Sequence, residues 1–208
     1  MSQPLRILVI GASGVLGRAV VGALAPRHDI VSAGSKSGDV RIDIADPASI
    51  VAGLRQAGAL DAVACAAGAV NFAPFPAIKP ALVEQSAYGL GIANKLMGQI
   101  NLALAARDHL RDGGSITLVS GITAEAPIAA GTSASMVNGA LHSFVMAAAV
   151  EMPRGIRINV VCPTLFEESR ESFGPFFRGF DAVPVARAAR AFSRSAEGLE
   201  TGKTYRVY

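Results

Sequence analysis

The chain has 208 residues, 51% of them hydrophobic, with two cysteines and a formal net charge of +3. That length buries one sizeable core and is short for two ordinary domains, so a single domain over residues 1–208 is expected. The charge comes from scattered Arg and Lys, which argues against a nucleic-acid surface. Cys65 and Cys162 lack metal or disulfide spacing, which suits reduced core thiols in a cytoplasmic protein.

The first apolar run, Arg6–Ile10, reads as a strand and is too short for a secretion signal. Short β-branched runs then alternate with longer Ala/Leu-rich stretches of helical period. Further strands are expected at Ile30–Ala33, Val40–Asp43, Ala62–Cys65, Ser115–Ser120, Arg157–Val161 and Thr204–Val207. Helices are expected at Gly14–Ala25, Pro47–Gly58, Lys79–Asp112 with a break near Gly89 or Gly91, Ser133–Met152 and Val185–Arg194. Such alternation predicts a doubly wound parallel α/β sheet of about seven strands, covered by helices on both faces. Right-handed crossovers put its working edge at the C-terminal ends of the strands. No stretch is expected to cross a membrane, because Ala140–Val150 is interrupted by His142 and Ser143. The stretches Phe72–Pro80 and Phe173–Phe180, rich in Pro, Gly and Phe, read as loops at the working edge, where lids over substrates are often found.

Between the first strand and first helix stands Gly11-Ala12-Ser13-Gly14-Val15-Leu16-Gly17. Missing side chains there let backbone amides approach a diphosphate while the helix N-terminus stabilises its charge, the arrangement of a Rossmann-type dinucleotide site. The second strand ends in Gly34-Ser35-Lys36-Ser37, where an NAD site usually places an acid on the ribose 2′-hydroxyl. Ser35 and Lys36 instead suit a 2′-phosphate, so NADP(H) is expected ahead of NAD(H).

These residues resemble the short-chain dehydrogenase/reductase family along nearly the whole chain. The resemblance implies an NAD(P)-binding Rossmann domain with Gly11, Ser13, Gly14, Val15, Leu16 and Gly17 around the diphosphate. It implies Asp43 and Ile44 at the adenine, and Ala66-Ala67-Gly68 in place of the family's Asn-Ala-Gly. Arg157-Ile158-Asn159 leading to Pro163-Thr164-Leu165 resembles the segment whose backbone meets the nicotinamide carboxamide, at Leu165. Thr201-Gly202-Lys203-Thr204 resembles the family's entry into its last strand.

The catalytic positions depart from that pattern. Ala134 stands at the family's Tyr and Asn138 at its Lys. Gly121 stands at the Ser, with Ser120 one residue earlier, and Lys95 at the Asn of the preceding helix. Carbonyl reduction needs a proton for the developing alkoxide. Lys95 is the first candidate, because burial lowers a lysine pKa and an ammonium stabilises an oxyanion. Tyr88, expected two helical turns before Lys95, is a weaker donor. Asn138 can orient a water or hold the ribose. Ser120 is a poor acid without a partnered base, and none is visible in the sequence; His142, one turn after Asn138, faces either the pocket or the packed side. No metal spacing and no Gly-x-Ser-x-Gly elbow occur.

Two readings stay open. One is an NADP(H)-dependent oxidoreductase acting on a small carbonyl or alcohol with a rewired proton-transfer site. The other is a catalytically inactive dinucleotide-binding sensor or scaffold. The helix Ser133–Met152 is apolar on more than one face, and in the family its equivalent packs on a symmetry mate, so a homodimer or homotetramer through it is expected.

Overall fold

The computed structural model describes residues 3–208. Seven strands, β1 (Arg6–Ile10), β2 (Asp29–Gly34), β3 (Val40–Arg41), β4 (Leu60–Cys65), β5 (Leu110–Val119), β6 (Arg157–Pro163) and β7 (Thr204–Val207), form one sheet in the order β3-β2-β1-β4-β5-β6-β7. Every pairing is parallel. This is the expected Rossmann-like architecture. β3 is shorter than its sequence suggests. β5 starts early, because Leu110 pairs with Leu60 before the register shifts to Ala62 opposite Ser115.

Strand alternation divides the core into two layers. Leu8, Ile10, Val63, Ile116, Leu118 and Val160 face one side, where they meet α2 (Pro47–Ala57), α3 (Met97–Ala106) and α4 (Thr132–Glu151). Ile7, Val9, Ala62, Val119 and Val161 face the other, against α1 (Val15–Leu24) and α6 (Val185–Glu197), where Phe192 is wholly buried. Strands covered on both faces are apolar on both, which is why they read as continuous runs rather than alternating ones. Cys65 and Cys162 lie buried and unpaired in this core, as expected.

Local signals fix the helix ends. Asp46 caps α2 by accepting from the Ala48 amide at 2.9 Å, Pro47 opens the helix, and Gly58 closes it at φ +76°. On α6 the apolar positions face the core, while Arg187, Arg190 and Arg194 collect beside Lys203 and Arg206. The tertiary fold thus gathers cations that the sequence scatters.

The third helix departs from expectation. Residues 79–88 are not helical but irregular, with short 3-10 turns at Phe75–Ala77 and Val83–Gln85. Pro74, Pro76 and Pro80 each remove a backbone donor and restrict the residue before them. The chain then enters a π-helical turn at Gly91–Leu96 that runs into α3, which ends at Ala106 rather than Asp112.

α4 also corrects the membrane reading. At 20 residues and a mean hydropathy of 1.2, it is long and apolar enough to cross a membrane by composition. Here it docks on the sheet through Val137, Leu141 and Val145, all fully buried.

Candidate functional site

Two clefts adjoin along the C-terminal edge of the sheet. The smaller, about 420 Å³, is lined by Gly11 and Ser13 of the glycine turn, Ser35 and Lys36 after β2, Asp43 and Ile44 after β3, and Asn94. The larger, about 580 Å³, is lined by Val15, Leu16, Lys95, Ser120, Asn138 and the segment Pro163-Thr164-Leu165, beneath a roof of phenylalanines. Ala67, Gly68 and Ala69 border both, so the two form one continuous trough.

Close backbone approach builds the trough. Gly11 turns the chain at φ +78°, and a Cβ there would stand 2.8 Å from the Ala66 carbonyl oxygen. Gly17 packs so tightly that its Cβ would stand 1.9 Å from the Gly11 carbonyl oxygen, so its part is to seat α1 against the turn. Gly14 opens α1 with no side-chain cap, and its amide donates to the Gly11 carbonyl at 3.0 Å. An uncapped N-terminus of a ten-residue helix, beside a turn stripped of side chains, fits a diphosphate.

The smaller cleft is shaped by specific side-chain contacts. Asp43 accepts from the Ala45 amide at 2.9 Å, which fixes its carboxylate at the wall. Lys36 and Ser35 stand exposed at the same cleft, with no acid among its lining residues at the end of β2. Asn94, which sequence reasoning missed, accepts from the Ala69 amide at 2.7 Å and pins the turn after Gly68. Asn94 and its neighbour Lys95 both lie on the π-turn and line the smaller and the larger cleft respectively.

Lys95 reaches the junction of the clefts. Its Nζ donates to the Ser120 carbonyl at 3.1 Å, with no carboxylate among the residues lining the larger cleft. Burial without a carboxylate partner lowers its pKa to about 8. Asn138 is almost wholly buried; its amide nitrogen donates to Thr123 Oγ1 at 2.8 Å, while its Oδ1 is buried without a hydrogen-bond partner. Ala134 borders the same cleft and has no proton to give.

The remaining sequence candidates divide. Ser120 borders the cleft and has the partner the sequence did not reveal, since its Oγ lies 2.7 Å from His142 Nε2. His142 therefore faces the site from behind, a helical turn deeper than Asn138. Tyr88 is not among the cleft residues: it precedes the helix, and its hydroxyl meets Thr132 Oγ1 at 3.3 Å. Residues 89–96, between Tyr88 and Lys95, are helical as expected, but they run through the π-turn at Gly91–Leu96, and Lys95 borders the cleft while Tyr88 does not. The Leu165 carbonyl accepts from the Val183 amide at 2.9 Å, which leaves its own N–H as the group available to a carboxamide.

Glu125, His142 and Cys162 also bring ligand atoms within 4.8 Å of one another, a grouping their spacing in sequence conceals. Arg206 occupies both oxygens of Glu125, and burial pushes the Cys162 thiol up to about 11, so the trio favours protons over a metal ion.

The two Phe-rich loops meet over the larger cleft. Phe72 stacks on Phe176 at 5.4 Å, while Phe173 and Phe177 join Phe72 in the cleft wall. The roof is apolar, and only Lys95 among the cleft residues carries an ionisable side chain.

A family model described as enoyl-(acyl carrier protein) reductase matches residues 19–198. The crystal structure of the protein lin1944 from Listeria innocua superposes with a TM-score of 0.93 at 47% identity, covering 98% of this chain and 100% of that one. A small-chain dehydrogenase crystallised in complex with NADPH gives a TM-score of 0.84 at 20% identity, covering 99% and 97%. A dehydrogenase/reductase from Sinorhizobium meliloti gives 0.80 at 20% identity, covering 99% and 94%, so these two share the fold. A search of curated proteins returned no match. With the glycine turn, the parallel sheet order and a model spanning most of its length in agreement, the chain belongs to the short-chain dehydrogenase/reductase family of oxidoreductases.

Proposed function

We propose that the protein is an NADP(H)-dependent oxidoreductase acting on a small apolar or aromatic carbonyl, or on the corresponding alcohol. The observation that carries this reading is the trough itself: a diphosphate-sized glycine turn lies between an adenosine-type cleft and an apolar cleft whose one ionisable side chain is Lys95. A bound nicotinamide supplies a hydride to a carbonyl carbon or takes one from an alcohol. The protein's own residues do the rest. Gly11, Ser13 and the α1 N-terminus hold the diphosphate, Ser35 and Lys36 meet a 2′-phosphate, and Asp43 and Ile44 flank the adenine. Asn138, on the wall of the larger cleft, holds the ribose. The Lys95 ammonium stabilises the developing alkoxide in a site from which the phenylalanine roof excludes water, where such a charge acts most strongly.

Calorimetry with NADPH and NADH, followed by absorbance assays on a panel of apolar aldehydes, ketones and enoyl thioesters, tests the reading. Tighter NADPH binding and turnover of at least one apolar substrate are expected. A second reading, a dinucleotide-binding sensor, is favoured by one observation: Ala134 and Gly121 stand where the family's Tyr and Ser would act. Tight NADPH binding with no turnover on the whole panel selects it.

The assembly we propose is a homodimer or homotetramer through α4. Met136, Met146 and Val150 on that helix are 43%, 56% and 86% exposed, and Met97 and Leu104 on α3 extend the same kind of surface. Apolar side chains exposed in this number along two helices are what a self-associating face presents.

A further inference from the structure

We propose that Ser120, His142 and Glu125 form a proton relay that leads from the back wall of the larger cleft to the protein surface. It takes the place of the missing tyrosine as the source and sink of the substrate's proton. The proposal rests on the oxidoreductase reading above and assigns within it the group that handles the proton, leaving Lys95 charged as the electrostatic partner of the alkoxide.

Ser120 follows β5 and borders the cleft at 4% exposure. Its Oγ lies 2.7 Å from His142 Nε2 and 3.4 Å from the Val161 carbonyl oxygen, and Nδ1 of the same ring lies 3.8 Å from Glu125 Oε1. Glu125 is in turn held by both Arg206 and the Tyr208 hydroxyl, which donates at 2.7 Å. Side-chain exposure rises along this path, from 14% at His142 to 32% at Glu125, so its outer end meets water.

Four elements converge to make the path: the end of β5, the turn after it, α4, and the β6–β7 edge that carries Cys162 and Arg206. A serine on a cleft wall whose hydroxyl meets an imidazole faced by a carboxylate is able, on rotation of its side chain toward the cleft, to exchange protons with a bound alcohol.

In alcohol oxidation the substrate O–H proton passes to Ser120 Oγ as the Ser120 proton moves to His142 Nε2. The O–H bond of the substrate breaks as its carbonyl forms, the hydride being taken up by the nicotinamide dinucleotide. The resulting imidazolium faces the Glu125 carboxylate, which offsets its charge. Reduction runs the same transfers in reverse and needs the imidazolium at the start.

The charged and titratable groups facing His142 are Glu125 after the β5 turn, Arg206 on β7, Tyr208 beyond it, Cys162 on β6 and, across Ser120, Lys95 on the π-turn. Burial holds the His142 pKa below its usual 6.5, Glu125 raises it and Arg206 lowers it further. Carbonyl reduction is therefore expected to fall as pH rises through the His142 midpoint.

The test compares wild type, His142→Gln and Glu125→Gln in three measurements: NADPH affinity, the pH profile of kcat for a carbonyl the wild type reduces, and the imidazole titration by ¹⁵N NMR. His142→Gln should lower kcat at least about tenfold, leave the NADPH Kd within about twofold, and remove the falling limb at the His142 midpoint, leaving only the fall near pH 8 that follows Lys95. Glu125→Gln should move both the NMR midpoint and the limb to lower pH. A limb unchanged in His142→Gln, or an imidazole midpoint unmoved in Glu125→Gln, overturns the relay while leaving the oxidoreductase reading intact. Wild-type protein that binds NADPH but reduces no carbonyl overturns both.

Discussion

Lys95 lies across Gly68: a Cβ built on Gly68 would stand 2.6 Å from the Lys95 Cγ and 3.1 Å from its Cβ. Gly68 also sits at φ +148°, a backbone conformation that side chains disfavour. The glycine that turns the chain between the two clefts is thereby the floor on which the cationic side chain rests. Gly68→Ala should displace Lys95 and strain the turn together. Lys95→Ala should lower kcat by about 10²–10³ with a smaller effect on NADPH Kd, because the ammonium acts on charge that develops during reaction. Gly68→Ala should lower kcat comparably and weaken NADPH binding as well. Steady-state kinetics beside calorimetry checks both; equal kcat in Lys95→Ala and wild type would remove Lys95 from the chemistry.

Cofactor choice should follow Lys36. The lysine stands exposed at the smaller cleft with Ser35 beside it. Lys36→Ala is expected to weaken NADPH about tenfold, roughly 1.4 kcal/mol, and to leave NADH nearly unchanged. Lys36→Asp should reverse the preference. Dissociation constants for both cofactors at fixed ionic strength decide it, since charge contacts at an exposed site are screened by salt.

Lys95 should cost the free protein stability. Burial lowers its pKa from 10.5 to about 8, so between those values the native state binds fewer protons than the unfolded chain and wild-type stability rises with pH. Below about 8 the full penalty is present, because both states carry the charge and only the native one desolvates it. At 1.36 kcal/mol per tenfold the penalty approaches about 3 kcal/mol, and solvent at the cleft mouth reduces it to about 1–2 kcal/mol. Lys95→Met should therefore be more stable than wild type by about 1–2 kcal/mol at pH 7 and lose that advantage above pH 10. Urea denaturation at the two pH values measures the difference; equal midpoints at pH 7 would mean the ammonium stays hydrated.

The exposed side of α4 should be the self-association face. Met146→Glu combined with Val150→Glu places two carboxylates where both side chains are largely exposed, so the fold should survive while an apolar interface should not. Light scattering at micromolar concentration should give an oligomer for wild type and a monomer for the double variant. A monomeric wild type refutes the interface directly.

Much of the fold was legible because its signals are local. β1 and β7 begin and end where their apolar runs do, and α1, α2, α4 and α6 match their expected spans to within about three residues. The glycine turn was legible because the positive φ of Gly11 and the close backbone contacts of Gly11 and Gly17 demand glycine whatever the surrounding fold. The third helix was misjudged where local chemistry competes: Pro80 and its neighbours override the helical period of the residues around them.

What the sequence by itself determined is the layered sheet and the glycine turn at its first crossover, since each follows from residue type and short-range spacing. Only the tertiary structure decided which polar side chains meet at the cleft. Lys95 and Asn94 lie together on the π-turn at Gly91–Leu96 and line the trough, while Tyr88 is left at Thr132. Ser120 and His142, 22 residues apart, become hydrogen-bonding partners because α4 packs over the end of β5, and Glu125 and Arg206, 81 apart, meet at the edge formed by β7. Contacts between elements depend on helix phase and sheet order, and no window of sequence contains either.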